Sequence, residues 1–230
     1  MNFFDYLLDP GNWGGADGLA ARIGEHLLYS AVAVLVAAVI GISIGMLIGH
    51  TRRGNFLVIA LANSFRAIPT FGLLILVVLL TETGWLPVAA VLVVLALPPL
   101  LTSTATGIMQ ADADAVHASR ALGMTAGQVL FRVELPLAMP LIIAGLRSAT
   151  LQVIATATIA AYIPDVGGLG RPIMDGLRTY DYGEVLSGAV LVALLAIVLD
   201  LLLSIWARAF NRHLRTPTRT RARDRVPAAG

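Results

Sequence analysis

Five apolar runs, at about 27–49, 57–80, 86–107, 141–162 and 185–207, dominate this chain. Each is close to the ~20 residues that a helix needs to cross the hydrocarbon core of a bilayer. Inside lipid every backbone N–H and C=O must find its partner within the segment, so runs of this kind fold as helices. The expected fold is therefore all-α: a polytopic membrane protein with five transmembrane helices. Composition agrees, because 57% of residues are hydrophobic and only 13% are charged, about half the charged share of an average soluble domain. There is no cysteine, which excludes disulfides, thiolate metal sites and cysteine nucleophiles. The first run is not expected to be a cleaved leader. Asp5, Asp9, Asp17 and Glu25 precede it, with Arg22 as the one cation there, and a leader needs the reverse.

Arginine placement sets the expected orientation. All sixteen basic residues are Arg. With the N-terminus outside, the inner segments 50–56, 108–140 and 208–230 hold eleven of them, and the outer segments hold three, Arg22, Arg171 and Arg178. Positive charge accumulates on the cytoplasmic side, so the chain is expected N-out and C-in. Residues 1–21 then form an external N-terminal segment. Residues 208–230 form an Arg-rich cytoplasmic tail suited to anionic membrane lipid.

Within the runs, small residues recur every fourth position at Ala33, Ala37, Gly41, Gly45 and Gly49. Such a stripe lets a second helix approach closely. Pro69 is expected to kink the second span and Pro98-Pro99 the third, and a cavity between the two is one consequence. Three charges fall in or near the spans, Arg66, Arg147 and Asp200. Snorkelling to the interface and a salt-bridge cluster involving Asp200 are both open readings.

The insert between the third and fourth spans carries the most local information. Asp112 and Asp114 suit the start of a short helix, and Gly123 suits its left-handed close. Thr125-x-x-Gln128 is a capping-box pattern opening a second helix, with Val129, Leu130 and Val133 on its apolar face and Pro136 as its expected stop. A small, mildly apolar first helix (Ala115 to Leu122) has the shape of a knob for a groove on another protein.

This insert resembles the EAA loop of bacterial ABC importer permeases, E-A-A-x3-G-x9-I-x-L-P. Here it reads His117-Ala118-Ser119, Gly123, then Val133-Glu134-Leu135-Pro136, with His117 and Ser119 replacing the motif's Glu and second Ala. The segments SFRAIPTFGLL, VELPLAMPLIIAGLR and DVGGLGRPIMDGL extend the likeness over most of residues 22–207, toward the short permeases of osmoprotectant importers. The resemblance implies a type-1 permease domain at 22–207 with a cytoplasmic coupling loop at 108–140. It implies a multi-pass location in the bacterial plasma membrane. His117, Ala118, Ser119, Gly123, Leu135 and Pro136 would form the ATPase-coupling loop.

The resemblance also implies two cytoplasmic ABC ATPase subunits carrying ATP and Mg, a second permease chain that is a similar paralogue, and an extracytoplasmic substrate-binding protein. The implied solute is a quaternary ammonium osmoprotectant: glycine betaine, choline, carnitine or proline betaine. Another small solute such as an amino acid is the alternative. Phe65, Pro69, Phe71 and Tyr162 are candidates for the substrate path, because aromatic faces attract such cations. The chain has no G-x-x-x-x-G-K-[ST] phosphate loop, so no catalytic residue, cofactor or metal ligand is expected in it, and nucleic acid is not an expected partner. A stand-alone carrier and an intramembrane enzyme are the rivals. No internal repeat supports the first. Against the second, the four histidines are expected at or outside span ends.

Overall fold

A computed structural model describes residues 2–54, 56, 60, 64, 69–81 and 83–214. Its described elements are helical. A short helix α1 (Phe3–Leu8) and a 3₁₀ turn lead to α2 (Leu19–Thr51). After it come α3 (Thr70–Leu80), α4 (Trp85–Met109), α5 (Ala113–Ala121) and α6 (Ala126–Val129). A π-turn (Leu130–Glu134) then joins α6 to α7 (Leu135–Ala160), followed by α8 (Gly170–Thr179) and α9 (Tyr182–Leu214).

Four described segments are long and apolar enough to cross a membrane: Leu19–Thr51, Trp85–Met109, Ala126–Ala160 and Tyr182–Phe210. In the stretch expected as the second span, α3 covers only 11 residues, about 16 Å of helix. Pro69 is its N-cap, with extended backbone at φ −62 and ψ 112. The expected kink inside a helix is thus a boundary: a proline pre-set for a helix start sits just before one. Phe65 and Arg66 lie outside the described residues, as does the tail beyond Leu214.

The core is built by α2, α4 and α7, with α3 against them and α9 along α7 and α8. The small-residue stripe makes this possible. Ala33, Ala37, Gly41, Gly45 and Gly49 are all buried. A methyl group added at Gly49 would stand 2.6 Å from the Ile108 Cβ and 2.9 Å from the Ala105 carbonyl oxygen. The α4 backbone therefore lies where a side chain would be, the close approach that replaces hydrophobic drive between helices in lipid. Helix α4 runs unbroken through Pro98 and Pro99. Two hydroxyls use the carbonyls of these prolines: Thr102 Oγ1 donates to Pro98 O at 2.7 Å and Ser103 Oγ to Pro99 O at 2.6 Å.

Pro136 does not stop the second loop helix. α6 passes through the π-turn into α7, where Pro136 sits in the first turn. Pro136 brings no N–H to the ladder, and the wider i→i−5 turn before it takes up the misfit that its ring would force on a regular helix. The Leu135 N–H closes that turn on Leu130 O. The fourth apolar helix therefore begins inside the loop rather than at residue 141.

Candidate functional site

The loop between α4 and α7 is built from strong local signals. The Asp112 carboxylate caps α5, accepting from the Asp114 N–H at 2.8 Å and the Ala115 N–H at 3.0 Å. At the other end Gly123 has φ +82. Its N–H reaches Arg120 O at 3.0 Å, and the Met124 N–H reaches Ser119 O at 3.2 Å. This paired closure is a Schellman motif, and it needs a residue at ease in the left-handed region. Thr125 and Gln128 then form a complete capping box. Val116 and Val129 are buried together with Ala111, with Met124 and Val133 against them. The two short helices thus share a small core of their own.

That core fixes what faces outward. His117, Ala118 and Gly123 are exposed, as is Leu122, at 85% of its surface. Ser119 is half-buried and its hydroxyl turns back to Ala115 O at 2.7 Å. Leu135 and Pro136 are also half-buried, at the root of α7 rather than on the outer knob. Leu135 packs with Leu130 against Ile108, Ala138 and Ile142. The six motif residues therefore divide into an outward surface and an inward root. Leu122 closes the apolar knob expected from sequence, whereas sequence reasoning missed Phe131, an apolar residue that is 60% exposed. It also missed Glu134, a buried carboxylate whose Oε2 lies 2.5 Å from Nδ1 of His50.

The Arg147 guanidinium pairs with Asp200 across α7 and α9, with both Nε and Nη2 on the carboxylate oxygens. A two-pronged pair of this kind fixes orientation as well as charge.

Of the substrate-path candidates, Phe71 and Tyr162 meet edge to face with ring centroids 5.5 Å apart, and each is partly exposed. Pro69 lies two residues from Phe71, at the start of the same helix. An apolar cleft of about 510 Å³ opens between the facing ends of α3 and α4, lined by Val77, Thr81, Trp85 and Ala90 among others.

The segment after α7 is more ordered than its glycines suggest. It carries helix α8 and is tied to α2 by two side chains. Glu25 Oε2 accepts from the Gly168 N–H at 2.8 Å and from Arg22 Nη1 at 3.0 Å. His26 is fully buried. Its Nε2 donates to Ile154 O at 3.2 Å and its Nδ1 accepts from the Leu169 N–H at 3.3 Å. His26 and His50 lie on α2, which extends past the apolar run 27–49 at both ends, so each flanks that run. Each is explained by partners: a neutral imidazole has one donor and one acceptor, and His26 uses both. At the start of the chain, the Tyr6 hydroxyl donates to Glu184 at 3.1 Å. Burial and that neighbouring carboxylate push the Tyr6 phenol up to about 12, so it stays a donor at neutral pH. Among the described residues no cluster of His, Cys, Asp and Glu could hold a metal ion.

Comparison with known proteins agrees with this architecture. The family model described as "Binding-protein-dependent transport system inner membrane component" matches residues 25–216. The glycine betaine/carnitine/choline transport system permease protein OpuCB of Bacillus subtilis (strain 168) is 33% identical over 190 residues, 83% of this chain and 87% of that protein. The choline transport system permease protein OpuBD of the same organism is 38% identical over 83% of this chain and 84% of its own. Among solved structures, a chain of the MetNI methionine ABC transporter in an inward-facing conformation matches with TM-score 0.73 and 25% identity, covering 84% of this chain and 95% of that one. The chain belongs to the family of binding-protein-dependent transport system inner-membrane components, and it is the permease subunit of an ABC importer.

Proposed function

We propose that this permease carries small quaternary ammonium osmoprotectants, of the glycine betaine, choline, carnitine and proline betaine class, into the cell. The observation that carries the reading is its likeness, over four-fifths of the chain, to permeases whose names state glycine betaine, carnitine and choline. The aromatic pair Phe71–Tyr162 supports it, because a ring face attracts a soft cation without a buried counter-ion. Residues Phe65, Pro69, Phe71 and Tyr162 belong to the path in this reading.

The assembly we propose has five spans, the second including α3, with the N-terminus outside. The domain plan is an external segment at 1–21, the permease domain at 22–207 and a cytoplasmic Arg-rich tail at 208–230, in a bacterial inner membrane. The α5 helix and its closing turn, with exposed His117, Ala118 and Gly123 and half-buried Ser119, dock on a cytoplasmic ATPase, and Leu135 and Pro136 root them in the membrane helix. Two such ATPases hold ATP and Mg. A paralogous second permease completes the pair, and a substrate-binding protein delivers solute to the side carrying α8. Closure of the ATPases drives the two loops together and rocks the helices between access states.

Uptake of radiolabelled glycine betaine, choline, methionine and phosphate into proteoliposomes of the full transporter tests the solute. ATP-dependent uptake of betaine or choline is expected. Uptake of methionine alone would favour the amino-acid reading suggested by the structural likeness to a methionine transporter.

A further inference from the structure

The His50–Glu134 contact joins two parts of the molecule that the chain itself keeps apart. The loop element runs from Asp112 to Glu134. Its covalent neighbours are α4, which ends at Met109, and α7, which begins at Leu135. Helix α2 is remote in sequence, and His50 lies 84 residues from Glu134. Among the described residues, this is the one side-chain hydrogen bond between the loop and α2. Nδ1 of His50 and Oε2 of Glu134 lie 2.5 Å apart, in direct hydrogen-bond contact.

Its surroundings make it a rigid joint. The Glu134 side chain is 6% exposed and that of His50 18%. One residue before His50, Gly49 lies flush on Ile108 of α4. Ile108 in turn packs with Ala138 and Ile142 of α7, and with Ile42 and Met46 of α2. Three helix ends therefore converge at one apolar cluster, capped by the polar pair. Glu134 is also the last residue of the π-turn. A π-turn is a helix with one extra residue, a common mark of functional sites and the place where a helix accommodates change.

We infer that His50 and Glu134 are positioning residues that transmit movement of the coupling loop to the first long helix. A push on α5 reaches α4 and α7 through the chain, and it reaches α2 through this pair. Breaking the pair leaves the ATPase docked and active but weakens the link between its cycle and the membrane helices. This rests on the loop's being the ATPase-docking element.

The test uses the full transporter in proteoliposomes, with stimulation of ATP hydrolysis by the cognate binding protein as the readout. Co-purification of the ATPase and thermal unfolding serve as assembly controls. His50→Ala and Glu134→Ala should retain the ATPase and its basal activity, while stimulation falls roughly three- to thirty-fold, the usual range for residues that carry coupling. His50→Asn, whose amide nitrogen falls near Nδ1, and Glu134→Gln, which still accepts, should each keep at least half of the stimulation by the scale of a single retained hydrogen bond. If Glu134→Ala fails to assemble, His50→Ala at the less buried partner decides alone. Wild-type stimulation in His50→Ala overturns the inference, as does a loss in His50→Asn equal to that in His50→Ala. Failure of the docking reading is a different result: Gly123→Asp would then hydrolyse and transport normally.

Discussion

A methyl group on Gly45 would stand 2.7 Å from the Cβ of Thr104. That single relationship sets how closely α2 and α4 pack toward their C-terminal ends. Gly45→Ala is therefore expected to destabilise the permease by about 1–3 kcal/mol, the usual cost of overpacking. The partner position behaves oppositely. The Thr104 hydroxyl is buried, with no hydrogen-bond partner among the described residues. Thr104→Val keeps the shape and removes a buried polar group, so it should be neutral or stabilising by up to about 1 kcal/mol. Thermal unfolding of the purified complex reads both. A lower midpoint for Thr104→Val than for Gly45→Ala would contradict this packing.

Gly123→Asp should abolish uptake while the protein stays inserted. An added Cβ meets nothing within 4 Å, so the cost at the backbone is the strain at φ +82, about 1–2 kcal/mol for a residue with a Cβ in the left-handed region. The new carboxylate projects from the exposed surface proposed to meet the ATPase. Membrane content by immunoblot and ATP-dependent uptake separate the two effects. Normal uptake would remove the loop from coupling.

Removing one partner of the Arg147–Asp200 pair leaves the other charge unpaired between apolar helices, a costly arrangement. Arg147→Ala and Asp200→Ala should each lower the amount of folded permease in the membrane. The double variant should recover above both singles, since it leaves no orphan charge. Fluorescence-detected size exclusion of the three variants checks this. A double variant worse than either single would show the charges acting separately.

Tyr162→Ala should raise the KM for glycine betaine uptake roughly two- to thirty-fold, the value of one cation–π contact. Tyr162→Phe keeps the ring and the edge-to-face contact with Phe71, and should stay within about twofold by the same reasoning. Equal KM values for all three proteins would take the aromatic pair out of the substrate path.

Orientation has a direct readout. Ala118 is exposed on α5, and Tyr180 is 79% exposed beside α8. In intact cells an impermeant maleimide should label Tyr180→Cys and spare Ala118→Cys, the side chosen by Arg placement. The reverse pattern would invert the topology.

The loop was the part most legible from sequence, because its signals are local. Asp112, Gly123 and the Thr125–Gln128 box act within four residues of themselves, and each does in the structure what its chemistry requires. The stripe from Ala33 to Gly49 was legible for a related reason: helical periodicity places every fourth residue on one face. Its partner, α4, was not named by that periodicity.

The apolar runs by themselves determined a helical membrane chain, and the motif spacing determined its family resemblance. Tertiary structure alone decided the pairings. No spacing rule joins His50 to Glu134, His26 to Leu169 or Arg147 to Asp200, since each partner is more than fifty residues away. It also decided the passage of the fourth apolar helix through Pro136. A proline reads locally as a stop because it lacks an N–H, and only the π-turn before it, set where α2, α4 and α7 converge, lets the helix continue. The physical reason is common to both: caps and faces are fixed by bonds within a turn or two of helix, whereas buried polar groups take whichever partner the packed helices bring to them.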